Sequence, residues 1–550
     1  MTSDIQSRTS ESSGILSRLR IGKWEAAILA ILLLLGLGIR LQRISNKLLD
    51  HHSFRQGTEA MMARNFARDG IVVQYPKKEG YAQWSDIEVN EFPLYPATVA
   101  LAYKILGREH DAIGRLVTIM FSLATGFLCY LILRTYFQNS APLWAMALFM
   151  LSPLGAYVGR CFLRHPMAFF FQALAFYLWL LWVKKPGWGL WIGVWISAAI
   201  TGLMNFPNLY IGFPMGVALL VTRGWGSLKD RRIWWLVVAT LLPPLLWLKH
   251  SLEFSSVFLA SDPTGIKQRD LGRFIRLEWF NSDFFWNMWD GTWNLLLTPG
   301  IFILVVIGLC LGWRSKICWI IRAWLGIAFL YLCVDHYPIY LNRHEYYFVH
   351  LLTPACLLGG IAAGWIIGKV VLLKPDHIGL VGSAATIGLA MAILLPWQAY
   401  HFPLMEKYMV TEYGWSQHWA VAGAKVQELT EPEAVMVVDR PEDALIYYCD
   451  RPGWVNRFEN IKKDQWQMSG GGDYLLITSY RVGQDENGNW INVGFDFDNP
   501  PEGVPEEGLS PGSPAAPWVR ANCPVIYDEL RFQIIDLQPE KHGRSKPAPG

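Results

Sequence analysis

Residues 24–41 read WEAAILAILLLLGLGIRL, and shortly afterwards residues 48–56 read LLDHHSFRQ. The first stretch is almost uniformly apolar, and an apolar segment of about 17–25 residues is long enough for a helix to cross a bilayer. It is too long, and too far from the start of the chain, for a signal peptide. The second stretch is dense in polar groups. Together they predict a membrane protein that carries a polar site where its first span leaves the bilayer.

The composition supports a membrane protein throughout the chain. Of 550 residues, 52% are hydrophobic and 17% are charged, whereas a soluble domain carries about 25% charged residues. The chain has 27 Trp residues, and Trp is enriched where membrane proteins meet the membrane–water interface. The net charge of +3 provides no whole-chain argument for nucleic-acid binding.

Eleven apolar windows predict transmembrane helices, at residues 24–41, 113–133, 143–157, 167–183, 190–203, 206–221, 233–248, 297–313, 317–334, 346–367 and 378–395. Lys and Arg recur in every second short loop, starting with Arg18, Arg20 and Lys23. The positive-inside rule therefore places the N-terminus in the cytoplasm. With an odd number of spans, the loops 42–112 and 249–294 and the C-terminal region lie outside.

The sequence divides into an N-terminal tail 1–23, a transmembrane domain 24–400, an extracytoplasmic domain 401–537 and a disordered tail 538–550. The fold class is therefore an α-helical polytopic membrane protein with a small C-terminal α/β domain. In that domain the patterns predict strands at 434–438 and 474–478, a helix at 442–449 and a strand pair at 525–537. In the first outer loop, the spacing of apolar residues predicts two membrane-surface helices, 54–68 and 93–106. Cys449 and Cys523 lie in a polar region and could pair if that region is in an oxidising compartment, so their pairing stays open.

Polar residues cluster at four places that the predicted topology puts on one side of the membrane. These are the segments 50–59, 86–94, 160–166 and 335–347. Their carboxylates can take a proton from a hydroxyl or amine acceptor. Their arginines suit a phosphate group. A site that combines both at the bilayer surface suits a substrate with a phosphate head and an apolar tail.

Several phrases in this layout resemble lipid-carrier-dependent glycosyltransferases of the GT-C fold, such as protein O-mannosyltransferases and aminoarabinose transferases. Segment 60–70 resembles the first surface helix of that family, and 91–96 with 105–107 resembles the second. Residues 151–153 with Tyr157, Arg160 and Pro166 resemble the entry to its fourth span. Arg343, 346–347 and 352–354 resemble a late phosphate-side motif. The resemblance covers residues 24–400.

The resemblance implies transfer of a sugar from a polyprenyl-phosphate donor to a glycan, lipid or protein acceptor on the outer face of the membrane. The chain departs from the family at two places. An Asp-Glu pair usually precedes the first surface helix, and Arg55 and Gln56 stand there. An acidic residue is often found before the fourth-span proline, where His165 stands.

The candidate proton acceptors are therefore Asp50, Glu91, Glu59 and His165. The candidate phosphate or substrate contacts are His51, His52, Arg55, Arg160, Arg164, Arg343, His344 and Tyr346. His51 and His52 are also candidate ligands for a divalent metal ion. Plainer roles stay open for these residues: helix capping by Asp50, a favourable N-terminal charge at Glu91 and snorkelling of the arginines. Trp84, Trp286 and Trp289 suit an interface belt, with sugar stacking as the alternative.

Two other functions remain open from the sequence. A flippase for a lipid-linked sugar would need a polar path through the bundle, and the predicted spans contain few charges. A catalytically degenerate assembly protein is compatible with the missing Asp-Glu pair. The expected location is a bacterial inner membrane, with membrane lipids and a lipid-linked sugar as partners.

Overall fold

The computed structural model describes residues 22–79, 87, 89–258, 268–335, 344–372, 388, 395–407, 418–438, 443–455, 472–478, 481–484, 490–493, 522–529 and 532–545. These divide into two compact units. The helical unit comprises Met1–Ile44, Val89–Tyr95 and Ala112–Tyr408. The α/β unit comprises Ser45–Glu88, Pro96–Asp111 and Met409–Gly550, so it contains most of the loop 42–112 as well as the C-terminal region.

Helices dominate the described part of the chain. The α-helices are Lys23–Leu41, Ser53–Asp69, Leu94–Leu106, Asp111–Arg134, Ala141–Leu151, Pro153–Val158, His165–Lys184, Trp188–Met204, Gly212–Arg223, Arg231–Phe258, Gln268–Ile275, Ser282–Asp290, Thr298–Cys310, Lys316–Val334, Val349–Leu372, Leu395–Glu406, His418–Leu429 and Asp443–Cys449. Short 3₁₀ turns cover Phe206–Ile211, Trp225–Lys229 and Glu345–Phe348, and a π-helical turn covers Gly291–Leu296. Both predicted outer-loop helices are confirmed, as Ser53–Asp69 and Leu94–Leu106.

Six of the described helices are long and apolar enough to cross a membrane, or seven if a bent pair counts as one span. They coincide with the windows predicted at 24–41, 113–133, 167–183, 233–248, 317–334 and 346–367. The protein is thus a multi-pass membrane protein.

The remaining windows differ from the prediction of eleven spans. The window 143–157 is split because Pro153 begins a new helix after Ser152. The window 206–221 begins with a 3₁₀ turn, and the helix at 190–203 has only 17 residues. The window 297–313 belongs to the pair Ser282–Leu296 and Thr298–Cys310, which is bent by 109°. Most of 378–395 lies outside the described residues.

Small residues let the helices of the helical unit approach closely. A Cβ on Gly360 would lie 2.7 Å from the backbone nitrogen of Ala145, and one on Gly364 would lie 2.7 Å from the Cβ of Ala141. Close backbone approach at small residues is a typical way for membrane helices to pack. Helix Val349–Leu372 is therefore held against helix Ala141–Leu151.

The α/β unit contains a five-stranded sheet, whose strands follow the spatial order β2 (Gly453–Val455), β1 (Met436–Val438), β3 (Tyr474–Ile477), β7 (Phe532–Asp536) and β6 (Val525–Glu529). Strands β4 (Arg481–Gln484) and β5 (Trp490–Val493) form a separate hairpin. Strand β1 runs parallel to β2 and β3, and β7 runs antiparallel to β3 and β6. The predicted strands, strand pair and helix 442–449 are confirmed.

Two expectations about the C-terminal region need correction or qualification. Residues 538–545 are ordered, because Lys541 Nζ lies 2.5 Å from Asp473 and Arg544 Nη1 lies 2.6 Å from the fully buried Asp536. The predicted disorder is therefore wrong for this part, and 546–550 lie outside the described residues. No disulfide joins Cys449 to Cys523, although both side chains are buried.

Candidate active site

Glu91 lies on a segment that neighbouring helices hold by its backbone. The indole Nε1 of Trp247 donates to the carbonyl oxygen of Asn90 at 2.8 Å. The backbone N–H of Phe92 donates to the carbonyl oxygen of Leu203 at 3.1 Å. These bonds fix the backbone on both sides of Glu91, just before helix Leu94–Leu106.

The carboxylate of Glu91 forms an ion pair with Arg164. Nη1 of Arg164 lies 2.9 Å from Oε2 of Glu91, and the two side chains are 10% and 29% exposed. Arg164 is held in place because it immediately precedes helix His165–Lys184, whose second residue is Pro166. The structure therefore brings together two residues that the sequence predicts for the site. The partial exposure of Glu91 leaves its carboxylate accessible to a substrate.

Arg160 has a different environment from Arg164. Its Nη1 donates to the carbonyl oxygen of Gln42 at 2.7 Å, and its guanidinium lies 5.5 Å from the ring centroid of Tyr157. These two contacts give Arg160 a local structural role. Its role in phosphate binding stays a prediction.

Aromatic rings connect three further predicted residues. The ring centroids of His165 and Tyr346 lie 4.7 Å apart, and those of His344 and Tyr346 lie 5.5 Å apart. Along the chain, His165 directly follows Arg164, which pairs with Glu91. Arg343, the fourth residue predicted in this region, lies outside the described residues.

A cavity of about 420 Å³ adjoins this cluster. His344 and Glu345 line it together with residues of the bent pair of helices around Gly291–Leu296. Its polar lining includes Asn287, Asp290 and Asn294. These three residues are not among the predicted site residues, because they lie in the loop 249–294, where Trp286 and Trp289 indicate an interface belt. Their spacing on one helix face was the available signal.

The other predicted residues lie in the α/β unit. Asp50 is 4% exposed, and the side chain of Gln56 donates to its Oδ1 at 2.7 Å. Gln56 itself is fully buried. Glu59 is buried on the same helix, Ser53–Asp69, and Arg55 is half-buried. One position where the family usually has an acid is thus occupied here by a residue that fixes Asp50.

His51 and His52 lie side by side before that helix. Their ring centroids are 3.8 Å apart, and a ring nitrogen of each lies within 4.8 Å of the other. His52 has a φ of 67°, a left-handed conformation that is uncommon for a residue other than glycine. Two imidazoles this close could serve a divalent ion of the kind that accepts nitrogen ligands. The metal ion stays a prediction.

A buried polar network fixes helix Ser53–Asp69 inside the α/β unit. Nζ of Lys78 lies 2.7 Å from Oδ2 of Asp443, and both side chains are at most 2% exposed. Thr58 donates a hydrogen bond to the same carboxylate. Nη1 of Arg64 lies 3.0 Å from Oδ1 of Asp450. The sequence gives no sign of these pairs, since their partners are far apart along the chain.

Comparisons with known proteins identify the fold. A family model described as dolichyl-phosphate-mannose-protein mannosyltransferase matches residues 90–247. ArnT from Cupriavidus metallidurans, solved with undecaprenyl phosphate, is similar with a TM-score of 0.58 and 14% identity over 93% of this chain and 97% of that chain. The apo oligosaccharyltransferase of Archaeoglobus fulgidus is similar with a TM-score of 0.58 and 12% identity over 87% and 75%. The protein has the GT-C fold. No curated protein matches the sequence.

The GT-C fold confirms the resemblance drawn from the sequence. A second structure of the archaeal enzyme, AglB with an inhibitory peptide and a dolichol-phosphate, is similar with a TM-score of 0.54 and 12% identity over 87% of this chain and 75% of that chain. The family match begins one residue before Glu91 and includes Arg160, Arg164 and His165. The family match therefore covers the ion pair of Glu91 and Arg164, whereas Asp50 lies outside the matched residues.

Proposed function

We propose that this protein is a membrane glycosyltransferase that moves a sugar from a polyprenyl-phosphate donor to an acceptor at the outer face of the membrane. The observation that carries the proposal is the ion pair of Glu91 and Arg164, inside the segment that matches the mannosyltransferase family. ArnT and AglB, which share the fold, were solved with undecaprenyl phosphate and dolichol-phosphate. The acceptor is a glycan, lipid or protein that offers a hydroxyl or amine.

Glu91 is the proton acceptor in this mechanism. The acceptor oxygen or nitrogen attacks the anomeric carbon of the sugar, and its proton passes to the Glu91 carboxylate. The bond from the anomeric carbon to the phosphate oxygen breaks, and the polyprenyl phosphate leaves with the electron pair. Arg164 holds the carboxylate in place, and Arg160 with Arg343 stabilises the negative charge on the leaving phosphate.

Exposure supports Glu91 over the other predicted acids. Its side chain is 29% exposed, whereas the residues Asp50 and Glu59 are 4% and 2% exposed. A general base must come within hydrogen-bond distance of the proton that it takes. Asp50 and Glu59 would need the surrounding structure to open, so structural roles suit them better.

Replacement of Glu91 by Gln tests the proposal. Purified protein is incubated with a panel of radiolabelled polyprenyl-phosphate sugars and membrane acceptors. Glu91→Gln keeps the shape of the side chain but removes the base, and we expect kcat to fall by about 10²–10⁴-fold. Glu253→Gln is the matched control, because Glu253 is an exposed carboxylate of the same unit that pairs with Lys249. Full turnover by Glu91→Gln would contradict the assignment.

A catalytically degenerate protein is the second candidate, and the buried Gln56 favours it. Gln56 occupies a position where the family usually has an acid, and it serves to fix Asp50. This candidate predicts that the wild-type protein binds the lipid-linked sugar without turnover. A flippase would instead move the labelled lipid across liposomes that contain the protein.

The orientation belongs to the same proposal. The N-terminus is cytoplasmic and the C-terminal domain is extracytoplasmic in a bacterial inner membrane, as the distribution of Lys and Arg in the loops indicates. Alkaline phosphatase fused after residue 550 should be active in cells, since it folds only outside the cytoplasm. A fusion that is stably expressed but inactive would place the C-terminus in the cytoplasm and contradict the proposed orientation.

A further inference from the structure

The cavity at the bent pair of helices has a polar face that suits hydroxyl groups. Asn287, Asp290 and Asn294 follow one another at spacings of three and four residues, so they share one side of the helical segment. Amide and carboxylate groups both accept hydrogen bonds from hydroxyls, and the amides also donate. Nδ2 of Asn294 donates to Oδ1 of Asp290 at 2.6 Å. This bond orients both groups and leaves acceptor capacity on the carboxylate.

The carboxylates that line the cavity disfavour an anionic ligand. Asp290 and Glu345 contribute two carboxylates. Among the described residues that line the cavity, none is Lys or Arg. A phosphate group would be repelled by the two carboxylates, whereas neutral hydroxyls would find hydrogen-bond partners.

Apolar groups complete the lining. Trp286, Leu295, Phe348 and Leu404 contribute to its surface, and the Trp286 residue is 69% exposed. An exposed indole beside amides and carboxylates offers a flat apolar face to the C–H groups of a sugar ring. The volume of about 420 Å³ lies in the range of about 300–1,000 Å³ that is usual for small-molecule pockets.

The backbone around the cavity is irregular in a way that is typical of a functional site. The π-helical turn Gly291–Leu296 is followed by Thr298 with a φ of 60°. Isolated π turns and left-handed non-glycine residues concentrate at such sites. Irregular backbone at membrane depth is tolerated where it lines a cavity.

The wall of the cavity contacts residues that adjoin Arg164 along the chain. His344 on its wall contacts Tyr346, Tyr346 contacts His165, and His165 follows Arg164, which pairs with Glu91. These residues all belong to the helical unit. A ligand in the cavity would therefore contact the same unit that contains the ion pair of Glu91 and Arg164.

We infer that the cavity binds the ring of an uncharged sugar, with Asn287 and Asp290 as hydroxyl contacts and Trp286 as the stacking surface. The inference rests on the proposed function for the fate of the sugar, because the ring can belong to the lipid-linked donor or to a glycan acceptor. Binding itself does not require turnover, so it can be tested separately.

Saturation-transfer NMR on the full-length protein in detergent measures binding directly. The probes are methyl α-D-mannopyranoside, methyl α-D-glucopyranoside and, as an anionic counterpart, mannose 1-phosphate. We expect at least one methyl glycoside to bind with its ring protons saturated and the sugar phosphate to bind more weakly. Asn287→Ala and Asp290→Asn should each weaken binding by about tenfold. Asp283→Asn, an exposed carboxylate of the same helix, should leave binding unchanged.

The outcomes separate this inference from the proposed function. Glu91→Gln should retain glycoside binding while it loses transfer. If wild-type protein binds the glycoside but transfers no sugar, the cavity assignment stands and the proposed function fails. Where transfer is observed, a raised KM for the donor in Asn287→Ala identifies a donor site, and a raised KM for the acceptor identifies an acceptor site. Folded variants with unchanged binding and unchanged KM values would overturn the inference, as would equally strong binding of the sugar phosphate.

Discussion

The guanidinium of Arg164 is one contact that holds the Glu91 carboxylate. Because Nη1 of Arg164 is 2.9 Å from Oε2 of Glu91, removing this charge weakens the hold on the carboxylate that we propose as the proton acceptor. We expect Arg164→Met to lower kcat by about 10–100-fold with a smaller change in KM. Arg164→Lys should restore part of the loss, since it keeps the charge but not the planar fork. Equal activity of the Met and Lys variants would rule out this positioning role.

Asp450 gives the α/β unit a specific dependence on pH. Burial raises the pKa of this carboxyl, but the hydrogen bond from Arg68 and the charges of Arg64 and Arg68 outweigh it, so the pKa is lowered. A lowered folded-state pKa means that the charge stabilises the fold above the ordinary value of about 3.9. The contribution is lost as the pH falls below that value.

Asp450→Asn should therefore destabilise the protein at neutral pH by about 1–3 kcal/mol. The difference in thermal unfolding between wild type and variant should narrow as the pH falls from 7 to 3. Comparing the two proteins removes the effect of the other carboxylates that titrate in this range. A difference that stays constant with pH would contradict the assignment.

At the scale of single residues, the sequence indicates which side chains belong to the candidate site but not which of them are in contact. Glu91 and Arg164 were both predicted for the site, because acids and arginines beside membrane spans are costly without a use. Their pairing could not be predicted, since it depends on how two distant segments pack. Asn287 and Asp290 could not be predicted as site residues, because amides and acids beside tryptophans are as compatible with a membrane interface as with a binding site.

At the scale of elements, one glycine controls the packing of the first outer-loop helix. A Cβ on Gly57 would lie 2.7 Å from the Cα of Ala444, and the backbone of helix Asp443–Cys449 cannot move aside easily. We expect Gly57→Ala to destabilise the α/β unit by about 1–3 kcal/mol despite the better helix propensity of Ala. Gly38→Ala is the control, because a Cβ there meets nothing within 4 Å. Thermal unfolding that is equal or higher in Gly57→Ala would contradict this packing.

Regular elements were predictable where one pattern is sustained. Long apolar windows became helices, and the strands β1 and β3 lie within the predicted segments 434–438 and 474–478. The bend of 109° between Ser282–Leu296 and Thr298–Cys310 was not predictable, because local periodicity continues on both sides of it. Thr298 at this bend is left-handed and fully buried, and no local sequence pattern indicates either property.

At the scale of the whole molecule, the α/β unit is not a simple C-terminal domain. Its core combines residues from the first outer loop, Leu49 and Met61, with C-terminal residues such as Trp419, Leu476 and Ile534. Ten of the eleven predicted spans separate these regions along the sequence, so hydropathy alone could not predict that they share a core. The unit can complete this core only after both parts of the chain are in place.

A substitution in the first loop should therefore loosen the distant sheet. Met61 is fully buried in the shared core, so Met61→Ala should destabilise the unit by about 2–5 kcal/mol. We expect faster hydrogen exchange at the amides of β1 and β3 in the full-length protein. Ile71→Ala truncates an apolar side chain of the same loop that is 41% exposed, and it should leave that exchange unchanged. Unaltered protection of β1 and β3 in Met61→Ala would show that the C-terminal region folds independently of the first loop.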